Sequence, residues 1–297
     1  MKVLVLHFSQ TGQLTEILKN ISSEIKADNV TVETIRCETE KSFDFPWNTS
    51  TFYDVMPESV LHTGCEIKAF SPKENKYDLV IFGYQPWYLN PSIPAMGILK
   101  TDTFKNIIKN TPVVTVIGAR NMWINAQDEV SKRIKEAGGK LVGNIPLVDK
   151  SPNTLSAVSI VHWMLSGKKS KKWGIFPKPG ISQLDIDNSG DFGKIIHTNL
   201  KNETLSKLQD DVLKTKKIDI KWTIVLIESR AKKLFKIWAN LVVNKGTTPV
   251  KRRNWLVLYR IYLVFVLYIL SPIVITIIFL FIKPFQKKKS FKSILSV

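Results

Sequence analysis

The fold is decided by the stretch VLVLHFSQTGQLTEI, residues 3–17. Its apolar first part is rich in Val and Leu, which is typical of a buried parallel strand. The polar SQTG follows, and apolar residues then return at helical spacing, at Leu14, Ile17, Leu18 and Ile21. A helix that begins directly after such a loop presents free backbone N–H groups at its positive end, which suits a phosphate group. An ordinary strand-to-helix turn uses the same residue types, so this loop alone leaves both interpretations open.

Charge is divided unevenly between the two halves of the chain. The 297 residues carry a formal net charge of +18, but residues 1–150 contain 17 basic and 17 acidic residues, so the excess lies in residues 151–297. A balanced first half is typical of a soluble enzyme domain, whereas a basic second half indicates contact with the phosphates of lipids or nucleic acid.

Cys37 and Cys65 lack disulfide or zinc-site spacing, so no metal is expected. The first residues do not resemble a signal peptide, which predicts a cytoplasmic first half.

Strands and helices alternate along residues 1–150. After the first strand and a helix over about 13–26, apolar or alternating runs predict strands at 30–35, 77–84, 112–117 and 140–148. Helical patterns cover about 95–109 and 125–137. Alternation of this kind predicts a doubly wound sheet of five parallel strands in the flavodoxin-like order, with a ligand at the carboxyl ends of the strands.

Three loops follow strands at that predicted edge, at residues 9–15, 84–94 and 118–123. The first suits a phosphate, the second offers flat aromatic rings and backbone amides, and the third adds a cation. Together they suit a phosphorylated planar molecule, for which FMN is the natural candidate, whereas the absence of a GxGxxG loop argues against a dinucleotide. The predicted cofactor-binding residues are Ser9, Gln10, Thr11, Gly12, Gln13, Leu14, Pro86, Trp87, Tyr88, Gly118, Ala119, Arg120, Asn121 and Trp123.

A long aromatic segment, residues 37–76, separates the second strand from the third. It holds several Phe, Tyr and Trp residues around Pro46 and Pro57. Segments of this length are often functional, so it forms either the wall of a pocket or a packed excursion whose aromatic residues only anchor it. The sequence leaves both possibilities open.

Four motifs carry a resemblance to a known family. Ser9-Gln10-Thr11-Gly12 resembles the phosphate loop of flavodoxins, and Pro86-Trp87-Tyr88 resembles the flavin loop of flavodoxin-like quinone reductases. HFSQTGQLTEI, FGYQPWYLNPSIPA, ARNMW and FPKPGIS, in this order, resemble the dialkylresorcinol condensing enzyme family over about residues 1–240. The resemblance implies a flavin-dependent aromatase that oxidises a dialkyl cyclohexane-1,3-dione, supplied by a ketosynthase-like condensing enzyme, to a dialkylresorcinol. The chain departs from flavodoxins at Leu14, where they carry a hydroxyl residue, and Thr15 is one position too late.

The flavin would carry the redox step, so the protein needs a group that takes a proton from the ring substrate. Tyr84, Tyr88 and His7 lie near the predicted edge and are the candidates, although His7 also suits a purely structural role inside a strand. Two alternative functions use the same loops: a membrane-attached NAD(P)H:quinone oxidoreductase and a membrane-tethered flavodoxin electron carrier. Nucleic-acid binding is not expected, because no groove-reading motif accompanies the basic charge.

The second half is predicted to extend the domain and to reach a membrane. Residues 151–220 are predicted to form a helical and loop extension that closes the substrate pocket, with a basic Trp-containing loop at 167–173 that contacts either lipid headgroups or solvent. Residues 221–243 predict a basic amphipathic helix that lies either in a membrane interface or on the protein.

Residues 261–282 form the most apolar stretch of the chain. These 22 residues carry no charge and would span about 33 Å as a helix, which is enough to cross a bilayer. Positive charges on both sides leave the orientation undecided, and Ser271-Pro272 would also allow a shallow hairpin. Residues 221–297 are thus predicted to comprise the basic amphipathic helix and a hydrophobic membrane segment at 261–282, and this segment is predicted to anchor the protein at the cytoplasmic face of the inner membrane.

Overall fold

A sheet of five parallel strands in the order β2-β1-β3-β6-β7 forms the centre of the protein. The computed structural model describes residues 1–27, 29–218, 220, 222–277 and 295. The doubly wound, flavodoxin-like sheet predicted from the sequence is confirmed by this strand order. The strands are β1 (Lys2–His7), β2 (Thr31–Arg36), β3 (Leu79–Tyr84), β6 (Pro112–Ala119) and β7 (Lys140–Val148), and β4 (Pro86–Trp87) and β5 (Asn90–Pro91) form a separate antiparallel pair.

Helices cover both faces of the sheet and continue into a C-terminal arm. The bounds are α1 (Gln13–Ile25), α2 (Thr49–Asp54), α3 (Met56–Val60), α4 (Ile93–Lys100), α5 (Asp102–Ile108), α6 (Ile124–Glu136), α7 (Asn153–Ser166), α8 (Gln183–Asp187), α9 (Gly190–Lys201), α10 (Leu208–Lys214), α11 (Trp222–Lys245), α12 (Pro249–Phe265) and α13 (Ser271–Ile277). We call α11 to α13 the C-terminal arm.

One face of the sheet is covered by α1 and by helices from the second half of the chain. The apolar stripe of α1 is fully buried against β1 and β3. Helix α9 packs along α1, where Gly193 allows close approach because a Cβ there would collide with the Ile21 carbonyl oxygen. Helix α10 packs on β7. Residues 183–214 therefore complete the sheet's own core, and the residues that reach the cavity described below belong to the part of 151–220 that precedes them.

The other face is covered by α4, α5 and α6. Phe82, Tyr84 and Phe104 form the centre of this core, with the Phe82 and Tyr84 rings stacked at 5.7 Å. The single helix predicted over 95–109 is two helices. Thr101 has extended backbone and its hydroxyl accepts a hydrogen bond from the Phe104 amide, so it ends α4 and caps α5.

The C-terminal arm packs on the aromatic segment. Helix α11 contacts α3, α6 and α12 and buries Ala239 and Val242, so it packs on the protein, while Leu234, Ile237 and Val243 stay exposed. Arg252 at the start of α12 pairs with Asp54 (2.6 Å) and Glu58 (2.8 Å). Residues 37–76 are thus both anchor and wall, because Trp47, Phe52 and Tyr53 also line the cavity described below.

Pro249–Val274 is long and apolar enough to cross a membrane by length and composition. Helix α12 leads through a π-helical turn at 266–270 directly into α13. A π turn is a common way to accommodate an interruption of the helical hydrogen-bond ladder such as Pro272. The hairpin considered at Ser271-Pro272 is therefore not formed, and residues 278–282 of the predicted apolar stretch lie outside the described residues.

Candidate functional site

A cavity of about 480 Å³ lies where β1, β3 and β6 end. All three predicted loops reach it. The predicted binding residues that line it are Gln10, Thr11, Gln13, Leu14, Pro86, Trp87, Tyr88, Gly118, Ala119 and Arg120. Four others, Ser9, Gly12, Asn121 and Trp123, belong to the same loops without being part of the lining, and Trp123 is buried in the core beneath them.

The first loop is built to receive an anion. Gly12 precedes α1 with a φ of +85° and provides no side-chain cap, so the first amides of α1 are left for a ligand. No atom comes within 4 Å of a Cβ built on Gly12, so the space beside it is open. The Ser9 hydroxyl and the Gln10 side-chain nitrogen are buried, and neither has a hydrogen-bond partner among the described residues. Buried polar atoms are normally paired, so these residues fit a phosphate group.

Thr15 does not replace the hydroxyl that Leu14 lacks. Its Oγ1 lies 3.0 Å from His7 Nε2, and Leu14 is buried between α1 and the sheet while its edge reaches the cavity. Burial, together with the neighbouring Arg36, lowers the pKa of His7 to about 4. His7 does not line the cavity, so this geometry gives no support to its predicted catalytic role and indicates a structural one.

His7 gives the fold a specific acid sensitivity. The pKa of His7 in the folded protein, about 4, lies below the ordinary value of 6.5. The contribution of neutral His7 to the free energy of unfolding is therefore complete above pH 6.5 and is lost as pH falls toward 4. At pH 4 this amounts to about 3 kcal/mol. Urea unfolding at pH 7 and pH 4 measures this effect. We expect the free energy of unfolding to fall between these pH values by about 3 kcal/mol less in His7→Gln than in the wild type. Parallel pH profiles for the two proteins would contradict the assignment.

The second loop turns tightly at Tyr88 and Leu89. Both residues have positive φ (47° and 65°), a conformation that costs a non-glycine residue roughly 1–2 kcal/mol. Side-chain hydrogen bonds hold the turn: Asn90 donates to the Tyr88 carbonyl (2.7 Å), and Asn125 donates to the Leu89 carbonyl (2.9 Å). Trp87 is fixed against Trp47, with ring centroids 4.9 Å apart. Strain that is held in place beside a cavity is typical of a ligand-binding site.

The two tyrosines predicted as proton-transfer groups have engaged hydroxyls. Tyr84 Oη donates to Gln127 Oε1 (2.9 Å), and the ring lies in the core, outside the cavity. Tyr88 lines the cavity, but its hydroxyl donates to the Phe52 carbonyl. Burial raises the pKa of both phenols well above their ordinary value. Their predicted role in catalysis therefore has no support in this geometry, because neither hydroxyl is presented to a ligand.

The third loop brings Arg120 to the cavity. Burial lowers the pKa of Arg120 to about 10, while the nearby Asp149 carboxylate opposes the shift, so the guanidinium stays charged at neutral pH. One of its nitrogens lies 3.4 Å from the Ser156 hydroxyl at the start of α7. A half-buried cation on the wall of a cavity is well placed to stabilise negative charge that develops on a ligand.

Two further walls of the cavity come from residues 151–220, the segment expected to close the pocket, and from the C-terminal arm, whose part in the lining was not predicted. Gln13 holds the 180–181 loop by a hydrogen bond from Nε2 to the Ile181 carbonyl (3.0 Å), and a Cβ on Gly180 would collide with Gln13 and Trp163. The motif FPKPGIS therefore closes one side of the cavity; it belongs to residues 151–220, the segment expected to close the pocket, and the family resemblance had singled it out within that segment. The remaining wall is apolar and comes from α7 and the C-terminal arm: Ala157, Val158, Ile160, Val161, Met164, Ile227, Ala231, Phe235, Leu263, Val264, Val266 and Leu267.

No family model matches the chain, and no curated protein matches it. Among solved structures it is similar to a flavoprotein in complex with FMN from Lactobacillus acidophilus NCFM (18% identity, 49% of this chain and 92% of that chain, TM-score 0.40). It is also similar to a flavodoxin from the domain Archaea (14% identity, 68% and 99%, TM-score 0.35) and to a flavone reductase (11% identity, 68% and 64%, TM-score 0.37). At these identities the likeness concerns the fold alone.

Proposed function

We propose that the protein is an FMN-dependent oxidoreductase that oxidises a lipid-like cyclic diketone, a dialkyl cyclohexane-1,3-dione, to a dialkylresorcinol. One observation carries the proposal. A single cavity is lined both by an uncapped helix N-terminus beside buried, unpartnered polar atoms and by a broad apolar wall from α7 and the C-terminal arm. The first part suits the phosphate of a cofactor, and the second suits the alkyl chains of a substrate.

The residues around the cavity fit FMN. The phosphate would be held by Ser9, Thr11 and the first amides of α1, and the ring system by the Trp87–Tyr88 turn and by the Gly118–Arg120 loop. When bound, the flavin supplies a hydride acceptor. The chain's own contribution is to hold the phosphate, to keep the aromatic turn rigid and to exclude water with the apolar wall.

Conversion of a cyclohexanedione to a resorcinol removes one hydride and one proton from the ring, and the two ketones become phenols. Removal of the proton next to a carbonyl places negative charge on the carbonyl oxygen. Arg120 is a charged group in the cavity lining that can stabilise that oxygen, and burial strengthens such an interaction. We therefore assign Arg120 to binding of the dione oxygen.

We also propose that the protein lies at the cytoplasmic face of the inner membrane; the C-terminal arm supports the membrane location. Helix α12 has exposed apolar side chains, including Val257, Ile261 and Phe265, and Trp173 at the end of the basic loop and Ile175 just after it are exposed as well. Two alkyl chains hold a substrate in a bilayer, because each buried CH₂ contributes about 0.8 kcal/mol. We propose a ketosynthase-like condensing enzyme as the partner, because such an enzyme would make the dione.

The test is anaerobic titration of the full chain, purified in detergent and loaded with FMN. We expect a dialkyl cyclohexane-1,3-dione to bleach the flavin absorbance, with one resorcinol formed per flavin reduced. Protein that takes up no FMN would overturn the proposal. Bleaching by NAD(P)H with re-oxidation by a quinone, and none by the dione, would assign a membrane quinone oxidoreductase instead. Bleaching only by a protein reductant would assign an electron carrier.

A further inference from the structure

Glu228 is a buried acid on α11 whose contacts lie far away in sequence. Its side chain is almost wholly excluded from solvent. Oε1 accepts a hydrogen bond from the Asn125 amide at 2.7 Å, and the amides of Ile124 and Trp123 also face the carboxyl group. Helix α6 begins at Ile124, and its own N-cap residue, Trp123, offers no side-chain hydrogen bond. Glu228 therefore caps α6 from the C-terminal arm, in the position where an acidic group is most favourable.

The residue that Glu228 caps also holds the strained turn of the second loop. Asn125 Nδ2 donates to the Leu89 carbonyl and to Asn90 Oδ1, both at 2.9 Å. Asn90 in turn donates to the Tyr88 carbonyl. A continuous chain of hydrogen bonds thus leads from α11, through the start of α6, to the turn that lines the cavity.

Glu228 also stands beside the cavity wall. Ile227 precedes it and Ala231 follows three residues later, and both line the cavity. Packing alone does not explain an acid here, because a buried carboxyl group is costly unless it is fully paired, and Oε2 has no partner among the described residues. An apolar residue of similar size would pack α11 on the protein at lower cost, but it would leave the α6 amides without a cap.

We propose that Glu228 is the positioning residue that locks the C-terminal arm onto the second and third loops of the cavity, so that the apolar wall and the strained turn form together. The inference rests on the proposed function in so far as those loops hold a flavin. Glu228 acts through Asn125 and does not itself line the cavity.

Docking of the C-terminal arm through Glu228 is expected to depend on pH. Burial raises the pKa of Glu228 to about 7, although the hydrogen bonds from the α6 amides oppose the shift. The titratable groups that face it are Asp128 on α6 and Tyr84 on β3. In an undocked arm, Glu228 would have its ordinary pKa of 4.5, so the docked arm binds the Glu228 proton more tightly. Docking of the arm is therefore expected to strengthen as pH falls from 7 toward 4.5. Above pH 7 both states are ionised and the docked state has lost that advantage.

Amide hydrogen exchange of the full chain in detergent tests the lock directly. We expect the protection factor of the Asn125 amide to fall by up to about 100-fold between pH 5 and pH 8 in the wild type, beyond the ordinary change in intrinsic exchange rate. Glu228→Gln, which cannot ionise, should show no such fall. Glu228→Ala should lower the protection at least about tenfold at every pH, because a hydrogen bond to the cap is lost. Glu136→Gln removes an exposed acid at the other end of α6, the helix that holds Asn125; it is the control and should match the wild type.

Wild-type pH dependence in Glu228→Gln, or wild-type protection in Glu228→Ala, would overturn the proposal. This readout needs no flavin, so it decides the role of Glu228 even if the protein takes up no FMN. The second readout is FMN affinity, which we expect to be at least about tenfold weaker in Glu228→Ala than in Glu136→Gln. The FMN phosphate also titrates in this pH range and affects both proteins equally. We therefore compare the FMN affinity of the wild type with that of Glu228→Gln at each pH. Reduced protection with unchanged FMN affinity would refute the link to the flavin loops.

Discussion

Gly12→Asp is expected to abolish FMN binding, whereas Gly12→Asn weakens it far less. Asn and Asp are nearly identical in size and both tolerate the positive φ of Gly12, so the two variants differ essentially in one charge. At a separation of about 4 Å, a carboxylate and a single phosphate charge repel by about 4 kcal/mol near a protein surface. We therefore expect the affinity of Gly12→Asp for FMN to be at least about 100-fold lower than that of Gly12→Asn.

Fluorescence titration with FMN and with riboflavin measures this difference. Riboflavin lacks the phosphate, so its affinity should be the same in both variants. Thermal unfolding of the protein without flavin provides a second control, because a negative charge at the start of α1 stabilises the helix by about 0.3–1 kcal/mol. Gly12→Asp should thus be at least as stable as Gly12→Asn while binding FMN far more weakly. Equal FMN affinity for the two variants would show that this helix end does not hold the phosphate.

The sheet and the three loops could be predicted from local patterns in the sequence. A parallel strand buried on both faces reads as a continuous apolar run, and β1, β3 and β6 are runs of this kind. Strand order determines which loops share an edge of the sheet. Residues a hundred positions apart in sequence can therefore be predicted to lie close together without knowledge of side-chain contacts.

The hydroxyls and the C-terminal arm could not be predicted in this way. Tyr84 and Tyr88 stand at the right edge, but whether a phenol faces a ligand depends on partners such as Gln127 and the Phe52 carbonyl, which only tertiary packing brings near. Helix α11 carries an amphipathic pattern that suits a membrane and a protein surface equally well. Its contacts with α3 and α6 include the buried acid Glu228, which no periodicity distinguishes from an exposed one.

Arg120→Met is expected to lower kcat/KM for dione oxidation by about 10²–10³-fold at saturating FMN. This is the usual effect of removing a preorganised donor from the position where negative charge develops. Arg120 lines the cavity as a half-buried cation, and the Met side chain preserves much of its apolar length without its charge. The loss should appear in kcat, because the charge on the substrate oxygen grows toward the transition state and is small in the ground state.

Asp149 supplies the control for this variant. Arg120→Met removes a cation that interacts with the buried Asp149, so part of any loss of activity would come from lower stability. Arg120→Met combined with Asp149→Asn removes both charges. Asp149→Asn alone keeps the cation and should retain activity to within about tenfold, since Asn can still accept the Ser151 amide hydrogen bond (2.9 Å). If the double variant is as active as Asp149→Asn, Arg120 serves the fold and not the reaction. If it is slower by two orders of magnitude at equal thermal stability, the guanidinium acts on the substrate.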